Sequence, residues 1–570
     1  MSATLAVAAL LATAANALID FQPCPGFNAN ITRIIGVEGT PVECAHLSVP
    51  LDYTDQDPDS EQLTLDLFRV TATQEPVLGT VIMNFGGPGG TAGENLPVWA
   101  TQAQEYIGPQ WNVLSWDPRG TGNTIPFRCD VEAVLGGNMT PTKRDIGNLV
   151  TTNVTEAFLN GGWDLAGEVA DYCAAQASDV GTLIGTAFTA RDMINIVDAL
   201  EEDGLLRYYG WSYGTALGSY AAAMFPERVE RMVLDGNVNP HDYQAGHYGE
   251  YLDDIDSALS GFIETCFNVT DDCPLYTLVQ PESAQDLLDA INLVLAPLAQ
   301  NATSGLEAYL NFVSAKSIFI EPLYFPRTWP NFALSLVQIY TNTTPPSDNT
   351  TVPKYGAASN AVFGIRASDA TFIANFSDEY LPQERYQSSV SASFGDIGYY
   401  SLWVSARWSM HARERYWGDF NVQTKVPILY VNGEHDPVTP LVNAYNGSSG
   451  FTGSVVLPHS GYGHGIFTDP STCVAQHTRR YFVNGTLPEA GAHCEPDMSL
   501  VETWREYAQR SGVGNATSGG NNTGNGNGTS ENSSDGNGTV EHTGNSVRLG
   551  SGAGSYSFGA VLAVVMMWVL

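Results

Sequence analysis

The sequence predicts an α/β fold: a mostly parallel β-sheet flanked by helices, interrupted by a large, mainly helical insertion. Three observations carry that expectation. Apolar runs of strand length alternate with stretches of helical spacing. The runs end in loops rich in glycine or carboxylates, as in "TVIMNFGGPGG", "WNVLSWDPRGTG" and "VPILYVNGEHDPVTP". One run leads straight into Gly210-Trp211-Ser212-Tyr213-Gly214, a serine with glycine two places before and after it. In such a sheet the loops at the C-terminal ends of the strands carry the chemistry.

Taken in order, the chain opens with "MSATLAVAALLATAANALIDF", an apolar run followed by Ala15-Asn16-Ala17, which reads as a secretory signal over residues 1–17. The first part of the core is expected over 18–238. Within it, Thr80–Gly90 and Trp111–Gly122 are strands followed by loops, and Ala190–Gly204 has helical spacing. Leu205–Tyr209 is a short buried strand, Ala216–Phe225 a small-residue helix stopped by Pro226, and Val229–Pro240 a further strand. Residues 125–187 read as a small insertion. From 239 to 423 the alternation is lost, and helical stretches such as "AQDLLDAINLVLAPLAQ" suggest a lid over the functional edge of the sheet. The core resumes over 424–510 with Val426–Pro440 and Ser454–Phe467. Residues 511–557 are low-complexity Gly/Asn/Ser/Thr, the composition of a disordered, glycosylated stalk. The apolar tail 558–570 is shorter than the ~20 residues that span a bilayer. Behind small residues and a polar spacer, it matches a glycosylphosphatidylinositol (GPI) attachment signal. The expected location is therefore extracellular, at the cell surface.

Composition narrows the partners. With 61 acidic against 24 basic residues the net charge is −37, which disfavours nucleic acid and anionic membrane surfaces. Fifteen Asn-x-Ser/Thr sites, five of them between Asn515 and Asn537, are expected glycan acceptors in a secreted chain. Eight cysteines imply disulfides. Proximity suggests 24–44, 129–173, 266–273 and 473–494 among about 105 connectivities. No spacing matches a metal site, and no cofactor is expected.

A serine hydroxyl becomes a nucleophile when it is exposed, aimed and held by a base. A sharp strand-to-helix turn does the aiming, and it crowds the residues two places either side, where glycine fits. Alone, Gly-x-Ser-x-Gly could be a plain turn. A base and an orienting carboxylate change the balance. His464 in "GYGHGIF" follows a late strand, with His459, expected at the surface of a strand end, as the competitor. Asp436 in "NGEHDPVTP" follows a fully apolar run and gives the order Ser212, Asp436, His464. Asp235 is the alternative acid, and Asp117 in "WDPRG" is expected to pin its own loop. Backbone N–H groups of Tyr213 and of Gly87, or a neighbour in "GGPGG", would receive an oxyanion.

The motifs "NFGGPGG", "WDPRGTG", "ARDM", "YYGWSYGT", "FPERVERMVLDG", "DPVTP" and "GHG" resemble the tripeptidyl-aminopeptidase-like branch of the α/β-hydrolases, related to prolyl aminopeptidases. The resemblance runs from about Cys44 to Glu495, including the C-terminal region with Cys473 and Cys494. It implies the α/β-hydrolase fold and a serine exopeptidase acting on free N-termini of peptides, with Ser212, Asp436 and His464 at the family's nucleophile, acid and base. One departure falls in the lid. Where family members carry Cys-x-Asp, this chain reads Phe394-Gly395-Asp396, and the further cysteine near Trp408 is also missing. By that match, Asp396 is the candidate for binding the substrate amine; the alternative is a solvated loop acid. Two other functions share the pattern: a carboxylesterase or lipase with the same triad, and an idle binding protein on a hydrolase scaffold.

Overall fold

A computed structural model of the chain describes residues 19–24, 40–57, 59–129, 149–302, 306–341, 358–397 and 400–511. The expected signal, stalk and tail lie outside the described residues. No helix within them is long and apolar enough to cross a membrane.

Among the described residues nine strands form one sheet: β1 (Gln22–Pro23), β2 (Glu43–Pro50), β3 (Gln62–Val70), β4 (Gly79–Asn84), β5 (Trp111–Trp116), β6 (Leu206–Trp211), β7 (Val229–Asp235), β8 (Leu429–His435) and β9 (Val455–Tyr462). Their order is β1-β2-β3-β5-β4-β6-β7-β8-β9. The first three and the β3–β5 contact are antiparallel, and everything from β5 to β9 is parallel. The antiparallel pair β2–β3 was not among the expected elements.

The central strands are apolar on both sides because both faces are covered. Successive residues alternate between two cores. Val81, Met83, Tyr209, Val233 and Val431 face helices α1 (Ala92–Ile107) and α5 (Thr472–Asn484). Ile82, Tyr208, Met232, Leu234 and Tyr430 face α2 (Thr186–Ala199) and α3 (Tyr213–Met224), with α4 (Leu441–Ser449) packed beside β8. The second core does not stop at the sheet. It runs on through Phe262, Phe312, Trp329 and Trp403, so the helices between Pro240 and Ala406 share one continuous apolar cluster with it.

All four nearest-in-sequence cysteine pairs form disulfides: Cys24–Cys44, Cys129–Cys173, Cys266–Cys273 and Cys473–Cys494. Register places the chemistry. Trp211 pairs with Asp235 and Asp235 with Val431, so β6, β7 and β8 deliver their following loops to the same edge.

Candidate active site

Ser212 is the residue between β6 and α3. Its backbone has φ 58° and ψ −125°, a conformation few non-glycine residues take. The peptide is held there by Ser212 N–H donating to the Asp235 carbonyl at 3.0 Å and by Thr215 N–H donating to the Ser212 carbonyl at 2.8 Å. The flanking glycines follow from close approach. A Cβ on Gly214 would lie 2.6 Å from the Asn84 carbonyl oxygen, and one on Gly210 would strike the Gly214 carbonyl.

His464 reaches the same edge from the loop after β9. Its Nδ1 lies 3.0 Å and 3.1 Å from the two Asp436 oxygens. The carboxylate is held in turn by the N–H groups of Val438 (3.0 Å), Thr439 (2.9 Å) and Gly465 (3.0 Å) and by the Thr439 hydroxyl (2.9 Å). Five donors around one buried carboxylate fix both the ring plane and the tautomer with hydrogen on Nδ1. The ring's other nitrogen, Nε2, is buried and has no hydrogen-bond partner among the described residues. No hydrogen bond joins it to Ser212 Oγ here; such contacts often tighten only with substrate present.

The base loop is pressed from two sides. His464 N–H donates to the Tyr324 carbonyl at 2.9 Å, and the Tyr324 ring meets the imidazole edge-on at 4.9 Å. A Cβ on Gly463 would strike Pro326, and one on Gly465 would strike the Trp211 indole nitrogen. Glycine on each side of the histidine is therefore a packing requirement between lid and core.

A cavity opens at Ser212, and Gly87, Tyr213, Asp242, Tyr324 and Arg366 line it with the serine. The glycine loop after β4 passes directly over the serine turn: a Cβ on Gly86 would sit 2.7 Å from Ser212 Cβ and 3.2 Å from Tyr213 N. Tyr213 is the first residue of α3, where N–H groups lack intrahelical acceptors.

The competing residues occupy other roles. Asp235 is fully buried, accepts from Tyr209 Oη at 2.9 Å and from Ile466 N–H at 3.0 Å, and so anchors the base loop rather than the imidazole. Burial pushes its carboxyl up to about 7. Asp117 pins a neighbour, accepting from Ala92 N–H at 2.8 Å at the start of α1; burial raises it to about 7. His459 is buried in β9, not at the surface, with Nδ1 accepting from Gly461 N–H at 3.1 Å; burial drives its pKa down to about 4.

Asp396 is the clear correction. It is neither in the cavity nor solvated. Its carboxylate is buried against Lys316 Nζ at 2.6 Å and accepts from Thr152 N–H at 2.7 Å. Its charge is already matched by a buried cation, and it does not line the serine's cavity, so it is not placed to bind a substrate ammonium. The carboxylate that does line the serine's cavity is Asp242, raised to about 6 chiefly by burial, with Glu250 close by. Its position at the end of "DGNVNPHD", in the short helix Pro240–Ala245 after β7, was a usable signal: it follows the C-terminal end of a parallel strand. Tyr324 and Arg366 had none.

Comparison with known proteins adds to this geometry. A model described as alpha/beta hydrolase fold matches residues 79–269, and one described as TAP-like protein matches 391–494. Tripeptidyl aminopeptidase of Streptomyces lividans is 26% identical over 512 residues, covering 85% of this chain and 88% of that one. Serine protease Hip1 of Mycobacterium tuberculosis is 25% identical over 516 residues, covering 84% and 91%. Carboxylesterase B of the same organism is 26% identical over 496 residues, covering 84% and 90%.

Proposed function

Because the chain belongs to the tripeptidyl-aminopeptidase-like branch of the α/β-hydrolase superfamily and is a serine peptidase of that type, we propose that it releases residues or short peptides from free peptide N-termini through an acyl-enzyme on Ser212. In this reading His464 Nε2 takes the Ser212 hydroxyl proton as Oγ attacks the scissile carbonyl carbon. Asp436 holds the Nδ1 hydrogen and stabilises the imidazolium. The N–H groups of Tyr213 and Gly87 receive the negative oxygen. Collapse breaks the C–N bond, and the leaving amine takes the proton from His464. Water then repeats the sequence on the ester, freeing Ser212.

The observation that carries the exopeptidase reading is the carboxylate in the serine's own cavity. An ammonium leaving water needs a paired anion, and Asp242 lines the cavity with Ser212. The esterase reading shares the acyl-enzyme and has a relative in carboxylesterase B. It calls for an apolar acyl tunnel, and a cavity lined by both Asp242 and Arg366 does not suit one.

Asp242→Asn tests this assignment. KM for free-amine peptides should rise at least tenfold while short-chain ester hydrolysis changes little. Wild-type KM should climb as pH falls below about 6, because protonation removes the anion that the ammonium needs. Equal effects on amine and ester substrates would remove Asp242 from amine binding.

The same proposal places the enzyme outside the cell, N-glycosylated and held by a GPI anchor at the cell surface. Four disulfides support an oxidising compartment. Treating intact cells with phosphatidylinositol-specific phospholipase C should release the activity into the medium, and activity that stays with the cells would argue against the anchor.

A further inference from the structure

Arg366 stands in the reaction cavity without an anion. It lies on the lid helix Ala358–Asp369 and lines the cavity with Ser212 and Gly87. One N–H, on Nη2, donates to the Gly87 carbonyl at 3.2 Å, and the guanidinium sits 5.0 Å over the Tyr248 ring. Its buried Nε has no hydrogen-bond partner among the described residues. No carboxylate of the described residues lies within ion-pair distance of it, Asp242 included. Arg119 rests on Asp192 at 2.7 Å, Arg191 on Glu414 at 2.6 Å and Arg327 on Asp469 at 3.1 Å; Arg415, like Arg366, meets a backbone carbonyl and an aromatic ring, but it does not line the serine's cavity.

What sets Arg366 apart is its place in the cavity of Ser212. A guanidinium offers five donors in a planar fork that matches a carboxylate bidentately. The residue is half-buried, with its Nε enclosed and unpaired, and an anionic ligand in the cavity would supply that donor's missing acceptor. The Arg366 bond to Gly87 fixes where the anion would lie: beside the loop that faces the scissile carbonyl.

We propose that Arg366 is the carboxylate-recognising residue of the Ser212 cavity, so that among free-amine peptides the enzyme favours those with a carboxylate next to the scissile bond. This rests on the reading of Ser212 as the acylating serine of an exopeptidase. With Asp242 for the amine, it gives the cavity two charges of opposite sign, a match for short peptides that carry both. The carboxylate can come from an acidic side chain or from the C-terminus of a short peptide.

The experiment compares kcat/KM within matched pairs, with the cut located by mass spectrometry. One arm pairs Asp with Asn at each of the first three positions of an otherwise alanine peptide. The other pairs a C-terminal acid with its amide in three- and four-residue alanine peptides. Wild type should favour the acid member by roughly tenfold or more in at least one arm, the scale of a charge-assisted hydrogen bond. Which arm responds identifies the source. In Arg366→Met the ratio should fall to about one, and Arg366→Lys should restore part of it. Taking the ratio within each variant cancels any general loss from loosening the Gly87 loop. A wild-type ratio near one in both arms, or an undiminished ratio in Arg366→Met, overturns the proposal. Failure of the underlying reading looks different: wild type would not cut the neutral free-amine alanine peptides at all, and both readings would fall together.

Discussion

Ser212 keeps its φ of 58° because the backbone around it leaves no relaxed alternative, with Asn84 and the Gly214 carbonyl closing on the two glycines. Replacing its hydroxyl touches none of that scaffold. Ser212→Ala should melt like the wild type while turnover falls on the order of 10⁶. A fluorophosphonate probe should label the wild type at this one residue, and labelling that survives the substitution would rule it out as nucleophile. The acid can be assigned by comparison. Asp436→Asn should lower kcat by roughly 10⁴, since the imidazole loses the acceptor that sets its tautomer. Asp235→Asn should cost mainly expression and stability, and losses in the reverse order would move the acid to β7. The meeting of Ser212, Asp436 and His464 at one sheet edge, and the serine's glycines, were legible because each follows an apolar strand run in a glycine- or carboxylate-marked loop. Asp396 misled because its partner Lys316 stands 80 positions earlier on a lid helix, and no local pattern announces a buried ion pair across that separation. Arg366 was illegible for the same reason: only packing brings it to Gly87.

At the scale of elements, the ends of β6, β7 and β9 are tied together through Asp235, whose carbonyl holds Ser212 and whose carboxylate holds Ile466, two residues beyond His464. That carboxyl sits near 7 in the fold against its ordinary 3.8, so the folded form keeps a proton that the unfolded chain releases. A raised carboxyl contributes stability at low pH and loses it as pH rises, here from about 4 to about 7. Asn at this position does not titrate. The Tm advantage of wild type over Asp235→Asn should therefore shrink between pH 5 and pH 8, and a constant gap would mean that Asp235 ionises normally in the fold. The lid has its own tie. Lys316→Ala strands the Asp396 carboxylate in the interior and should cost about 3–5 kcal/mol in urea unfolding. The double variant Lys316→Met/Asp396→Leu should recover much of it. If the single variant unfolds like wild type, the pair contributes nothing. The parallel strands were legible as unbroken apolar runs. The β2–β3 pair passed unread although Ala45, Leu47, Val49 and Leu63, Leu65, Leu67 alternate inward with polar residues between them. A search for long apolar runs passes over period-two strands that have a wetter face.

Over the whole molecule, the reaction cavity belongs to neither core nor lid alone. The core supplies the serine turn, the glycine loop and the base, while the lid supplies Tyr324 against the imidazole and Arg366 against Gly87. One apolar cluster runs through both, so the lid is built into the site. Sequence patterning exposed the sheet and its edge because strand periodicity is local. The cavity's charged lining was hidden because it depends on how helices far apart in the chain pack over that edge. In the proposed reaction Ser212 is acylated by peptides gripped through a free N-terminal amine. The direct measurement is kcat/KM for one short peptide p-nitroanilide with its α-amine free and again with it acetylated. The account predicts a loss of about 100-fold or more on acetylation, since the cavity's carboxylate then has no cation to pair. Equal turnover of the two would contradict it and leave a general esterase or endopeptidase in its place.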